Sequence, residues 1–150
     1  MKPKQPVLYA EDDENDAVLF KRAFKEAGIR NPLFIVPDGT AAIEYLAGRG
    51  SYSNREKYLL PCLILLDLKL PGKSGLEVLK WIRARPSIFT APVLMLTSSS
   101  QDGDVHRSYL QGANGYLVKP NKMDDVLVMT KAIKDYWLNL NLHLAKETDD

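Results

Sequence analysis

Five acids, Glu11, Asp12, Asp13, Glu14 and Asp16, fall within residues 11 to 16, directly after the short apolar run Val7-Leu8-Tyr9-Ala10. A lone acid, Asp67, closes the apolar run Cys62-Leu63-Ile64-Leu65-Leu66. Thr97 closes Pro92-Val93-Leu94-Met95-Leu96, and Lys119 closes Gly115-Tyr116-Leu117-Val118. Carboxylates held close together raise one another's pKa unless a cation joins them. Ligands that are all oxygen suit a hard divalent ion, and Mg²⁺ uses few carboxylates while keeping several waters. An Asp carboxylate beside such an ion could act as a nucleophile toward phosphorus and become an aspartyl phosphate. Phosphoryl transfer asks mainly for positioning and charge neutralisation. Lys119 would add positive charge, and Thr97 would hydrogen-bond a phosphoryl oxygen.

These residues converge only if the runs that carry them are neighbouring parallel strands. The hydrophobic period switches repeatedly along the chain. Ala17, Phe20, Phe24 and Ala27 lie three and four apart, one face of a helix. Asp13 is placed to cap that helix and Gly28 to stop it. Leu33-Phe34-Ile35-Val36 reads as a second strand, and Asp38-Gly39 opens a helix carrying Ala42, Ile43, Leu46 and Ala47. Residues 48 to 61 lack a period and read as a long surface loop with room for one helical turn. Leu76, Leu79, Trp81 and Ile82 belong to a third helix, residues 101 to 112 to a fourth, and a last helix runs from Met123 to about Leu140. Five strands alternating with helices imply an α/β fold with helices on both faces of a parallel sheet. Ligands of such sheets sit at the carboxyl ends of the strands, which is where these side chains fall.

Composition narrows the class. The chain has 150 residues, 45% hydrophobic and 26% charged, with 20 Lys and Arg against 19 Asp and Glu for a formal charge of +1. The balance is that of a globular domain and argues against a protein that mainly coats nucleic acid. No apolar run approaches the length of a membrane span, and the start resembles no secretory signal. The one cysteine, Cys62, has no partner for an internal disulfide and no zinc spacing around it. A reduced cytoplasmic protein fits these facts.

Each candidate residue has an ordinary reading by itself. Acids before a helix are common caps, a strand-end Asp is a common turn residue, and a strand-end Lys is commonly solvated. The weight lies in the set, because four strand ends out of five carry compatible chemistry.

The runs Val7 to Asp13, Leu63 to Gly72, Pro92 to Ser98 and Gly112 to Pro120 together resemble the receiver domain of two-component response regulators. The likeness spans roughly residues 5 to 136. It implies a flavodoxin-like five-stranded parallel sheet, order 2-1-3-4-5, with five helices. It implies that Asp67 is the phosphoacceptor for a histidine kinase. Glu11, Asp12, Asp67 and the backbone carbonyl of Lys69 would place Mg²⁺, leaving Asp13 as the helix cap. Thr97 and Lys119 would contact the phosphoryl oxygens, and Lys119-Pro120 would be cis at Pro120. Thr97 and Tyr116 would form the switch pair, Tyr116 turning inward as Thr97 moves toward the phosphoryl group. Ser74 stands where the family often has Asp. Lys69 and Ser99 occupy variable positions that tune phosphoryl lifetime in relatives.

A finer resemblance is to the stand-alone regulators paired with phytochrome-type histidine kinases. It rests on the loop at 48 to 61, the Ser108-Tyr109 pair, and the ending Tyr136-Trp137-Leu138-Asn139-Leu140-Asn141-Leu142. Residues 1 to 140 are expected to form one receiver domain and 141 to 150 a partly disordered extension. With only 14 residues after 136, output is expected through binding and not through direct DNA contact, an effector domain or a membrane. The apolar ending either folds back on its own domain or crosses a homodimer interface built on the fourth helix, fifth strand and fifth helix. The chain is expected to be a regulator that assists its own phosphorylation and dephosphorylation, not an enzyme. The rival readings are a pseudo-receiver that only binds partners, a Mg²⁺-dependent phosphohydrolase, and a flavodoxin-like cofactor binder. Lys69, at the offset where recognisable phosphohydrolases carry a second Asp, weakens the phosphohydrolase. The acids after the first strand would repel a cofactor phosphate.

Overall fold

The computed structural model describes residues 4–143. Its order is β1 (Val7–Ala10), α1 (Glu14–Glu26), β2 (Leu33–Val36), α2 (Gly39–Ala47), a 3₁₀ turn (Gly50–Tyr52), β3 (Leu63–Leu66), α3 (Gly75–Arg83), β4 (Val93–Thr97), α4 (Asp102–Leu110), β5 (Gly115–Val118) and α5 (Met123–Ile133). A π-helical stretch, Lys134–Leu140, continues α5. The sheet is wholly parallel in the order β2-β1-β3-β4-β5. Ala10 pairs with Leu66, and Leu66 with Met95, so β1, β3 and β4 end side by side.

Alternate residues of the central strands feed opposite faces, as the pleat requires. Leu8, Ala10, Ile64 and Leu66 pack with Leu46 of α2 and Val78, Leu79 and Ile82 of α3. Val7, Tyr9, Leu63 and Leu65 pack with Phe20 and Phe24 of α1 and Ile133 of α5. Burial on both faces explains why β1 and β3 read as continuous apolar runs. Each fully buried leucine or isoleucine there contributes about 2 kcal/mol.

Local chemistry starts the helices where the sequence placed them. Asp13 accepts from the Asp16 amide, Asp38 from Ala41 and Ser74 from Glu77, three side-chain caps. Ser74 therefore does the capping work an Asp would do at that position. Cys62 lies just outside β3, buried, with its sulfur 3.6 Å from the Gln5 carbonyl oxygen. Burial pushes its thiol pKa up, as for an inert thiol.

One expectation is refined and another revised. The loop at 48 to 61 lies at the surface and carries one short 3₁₀ turn, as expected, but its tyrosines are packed. Tyr52 and Tyr58 pack against Tyr45, with Phe34 beside Tyr45 and Tyr58, and ring centroids are 5.1–5.8 Å apart. The Tyr45 hydroxyl donates to the Leu59 carbonyl at 2.8 Å. The other concerns the bond before Pro120, which is trans, since no described peptide bond is cis. Trans is the intrinsic preference even before proline, by about 0.5–1 kcal/mol. With the bond trans, the Lys119 amide still donates to the Thr97 carbonyl at 2.8 Å.

The apolar ending is helical as far as Leu140 and leaves the helix at Asn141. Trp137 and Leu138 fold back onto the cluster beneath α1 and α5, while Tyr136, Leu140 and Leu142 stay exposed. The remaining extension residues, from Leu144 onward, lie outside the described residues.

Candidate functional site

The parallel register brings the ends of β1, β3, β4 and β5 to one edge, and the strand-end residues meet there. Glu11 follows β1 and is almost fully buried, its amide donating to the Val36 carbonyl at 3.0 Å. Asp67 follows β3, also buried, its amide donating to the Ala10 carbonyl at 3.2 Å. Thr97, the last residue of β4, is 1% exposed. Lys119, just past β5, extends its side chain across to the acids. Its Nζ lies 2.7 Å from Asp67 Oδ2 and 3.0 Å from Asp16 Oδ2, and it also pairs with Glu11.

Glu11, Asp12 and Asp67 each bring one carboxylate oxygen within 4.8 Å of the others. Glu11 and Asp67 are buried and Asp12 is exposed, so the cluster has one open side. Such a donor set of oxygens only fits a hard divalent ion such as Mg²⁺. The Lys69 amide donates to Asp67 Oδ1 at 3.3 Å, which turns the chain after β3 back over the carboxylate.

Charge is unevenly settled within the cluster. Burial pushes the Glu11 carboxyl up to about 7, against a hydrogen bond from Lys119 that pulls it down. Burial also raises Asp67, but hydrogen bonding and charge from Lys119, with smaller help from Thr97 and Glu11, more than offset it. Asp67 is thus held below the ordinary Asp range and stays ionised. Burial lowers the Lys119 ammonium pKa, yet its acid partners more than compensate and keep it charged. The resulting arrangement is a buried, ionised carboxylate with an ammonium on one oxygen and an open acidic side.

A second network leads away from Thr97. The Ser99 amide donates to Thr97 Oγ1 at 3.5 Å, Ser99 Oγ bonds Asp104, and the half-buried Tyr116 donates its hydroxyl to the Ser99 carbonyl at 2.9 Å. Thr97 and Tyr116 are therefore joined through one residue of the β4–α4 loop.

Two residues of the site have no individual role in the sequence reading, which counts one in the acidic run and the other in the first strand. Asp16 sits in the first turn of α1 and meets Lys119 across 103 positions of chain. Tyr9, taken as a strand residue only, donates its hydroxyl to Glu11 Oε1 at 2.9 Å. The tyrosine beside an acid two positions on was the available signal, since i and i+2 share a face in a strand. No helix among the described residues is long and apolar enough to cross a membrane.

A family model described as the response regulator receiver domain matches residues 7–131. Response regulator Rcp1 of Synechocystis sp. is 38% identical over 136 residues, covering 91% of this chain and 90% of that protein. Its Mn²⁺-bound crystal structure has a TM-score of 0.83 at 37% identity, covering 94% of this chain and 99% of that one. The probable methanogenesis regulatory protein FilR2 of Methanothrix harundinacea is 36% identical over 140 residues, covering 90% of this chain and 84% of that protein. The crystal structure of the phosphorylated cyanobacterial phytochrome response regulator RcpA has a TM-score of 0.86 at 31% identity, covering 95% of this chain and 99% of that one.

Proposed function

The chain belongs to the response regulator receiver domain family, and from that premise we propose that Asp67 accepts a phosphoryl group from a phytochrome-type histidine kinase in a Mg²⁺-dependent reaction. One observation carries the reading: a buried carboxylate held ionised at 2.7 Å from Lys119, inside a cluster with Glu11 and Asp12. The kinase type is argued from the likeness to phosphorylated RcpA.

In the proposed step an Asp67 oxygen attacks the phosphorus of a phosphohistidine. The new O–P bond forms as the P–N bond breaks, and the imidazole nitrogen leaves with the electron pair and takes a proton from solvent. Asp67 becomes an acyl phosphate. Lys119 follows the charge as it spreads from the carboxylate onto the phosphoryl oxygens, and Thr97 donates its hydroxyl to one of them. Bound by Glu11, Asp12, Asp67 and the Lys69 carbonyl, Mg²⁺ would neutralise charge on the group being transferred. Asp67 is then the acceptor of one group and not a catalyst of turnover.

The switch follows from the second network. Drawing Thr97 Oγ1 toward a phosphoryl oxygen takes it from the Ser99 amide, and the Ser99 carbonyl is what Tyr116 holds. A new charge at Asp67 thereby biases a loop with two arrangements.

Transfer from a phytochrome-type kinase tests this reading. A kinase carrying labelled phosphate should pass the label to the wild-type chain when Mg²⁺ is present and not in excess chelator. Asp67→Asn should take none. Retention of all label on the kinase would contradict the pairing.

The face around α4 and β5 leaves Tyr109, Leu110 and Val118 exposed, near half or more of each surface open to water. We assign this face, with the exposed Leu140 and Leu142, to a second copy of the chain. Sedimentation should show a dimer for the wild type and a monomer for Leu110→Glu at the same concentration. A wild type that stays monomeric up to high concentration would remove the assignment.

A further inference from the structure

A cavity of about 440 Å³ lies far from the acidic cluster. It sits between the carboxyl-terminal ends of α2 and α3 and the segments that follow them. Helices of a parallel α/β sheet run opposite to its strands, so this is the edge away from Asp67. Leu46, Leu59, Leu60, Trp81, Ile88 and Phe89 form its apolar lining. Several of these are incompletely covered: Trp81 is half-buried and Ile88 is 57% exposed. Its volume falls in the usual range of small-molecule sites, about 300–1,000 Å³.

The polar groups of the cavity all have one sign. Arg49, Arg55 and Arg85 line it and no acid does. Among the described residues none of the three pairs with a carboxylate within 4.0 Å. Two are fixed in place. Arg85 stacks on the Trp81 ring at 4.1 Å and donates to the Trp81 carbonyl at 2.9 Å. Arg55 donates to the carbonyls of Tyr45 at 2.6 Å and Tyr58 at 3.1 Å, and to that of Leu46. Arg49 is exposed, and its guanidinium makes no hydrogen bond among the described residues.

We infer that this cavity binds a small amphipathic organic anion, an apolar body of about two rings bearing one carboxylate. The apolar lining would take the body and the arginines the charge, with stacking on the Trp81 and Phe89 wall, whose ring centroids are 5.4 Å apart. The lining comes from helices and loops and offers no free strand edge, so a compact ligand suits it better than an extended peptide.

The test titrates the full chain with 1-naphthoate and, separately, with the neutral 1-naphthamide. The indole N–H signals of Trp81 and Trp137 are followed by NMR. Trp81 should shift saturably with naphthoate while Trp137, in the carboxyl-terminal helical stretch, stays put. Naphthamide should bind about three- to fivefold more weakly, the scale of a surface ion pair. Arg49→Glu should weaken naphthoate by at least that factor and leave naphthamide unchanged. Its fold is at little risk, because Arg49 is exposed. The inference fails if Trp81 does not shift, if both indoles shift alike, or if the amide binds as well as the acid. It fails also if Arg49→Glu binds naphthoate normally. Binding of an acidic aromatic peptide without binding of naphthoate would overturn it in favour of a protein-docking site. None of these readouts depends on phosphorylation at Asp67.

Discussion

Lys119→Met is expected to slow phosphoryl acceptance by about 100- to 1,000-fold, the usual cost of losing one preorganised electrostatic group. The ammonium is the only cation paired with Glu11, Asp16 and Asp67 among the described residues, so its loss leaves three acids uncompensated. Methionine keeps most of the length and an apolar stem but carries no charge. Removing one partner of a buried pair also costs about 3 kcal/mol of stability. Urea denaturation in chelator should show that loss. Adding Mg²⁺ should recover more stability in the variant than in the wild type, because the acids then have a counter-charge again. A time course of acyl phosphate formation, read by mass, checks the rate. An unchanged rate would remove Lys119 from the proposed machinery, and unchanged stability in chelator would show that Glu11 and Asp67 do not need it.

The second large effect lies in the backbone behind the site. Gly75 opens α3, and its amide donates to the Leu68 carbonyl at 2.9 Å. A Cβ there would fall 2.0 Å from the Asp67 carbonyl oxygen, 2.9 Å from its carbon and 3.0 Å from Leu68 Cα. All three are backbone atoms, so nothing can give way by a rotamer change. Gly75→Ala should cost about 3 kcal/mol and displace the strand end that carries Asp67. Phosphoryl acceptance should fall with it, even under conditions where the variant remains folded. Gly103→Ala is the matched comparison. Its Cβ would meet only the far end of the Arg107 side chain, at 3.4 Å, inside α4. That change should be neutral or stabilising by up to about 1 kcal/mol. Equal stability of the two variants by thermal or urea unfolding would contradict the account.

Much of this arrangement is legible in the chain because the local and global signals agree. The apolar runs of β1 and β3 are continuous because both faces are buried, and they are buried because the helices joining parallel strands cover both faces of the sheet. Asp13 and Asp38 cap the helices they precede. The strand-end acids, Thr97 and Lys119 meet because strand ends of a parallel sheet must share an edge. What the sequence hides is long-range or geometric. Asp16 reads as one more helix acid until β5 delivers Lys119 to it. Tyr52 and Tyr58 sit among polar residues, so their packing on Tyr45 leaves no periodic trace. Nothing in Lys119-Pro120 itself fixes the isomer, and the family expectation of cis gives way to trans. The arginines around the cavity come from two separate stretches of chain, the loop at 48 to 61 and the segment after α3, and only the fold shows that they line it together with no acid.

The central claim is that Asp67 carries the phosphoryl group, and intact mass tests it most directly. The purified wild type and Asp67→Asn are incubated with acetyl phosphate and Mg²⁺, then weighed. The account predicts one phosphoryl adduct on the wild type and none on the variant. An adduct of equal yield on Asp67→Asn, or none on a wild type shown to bind Mg²⁺, would contradict it.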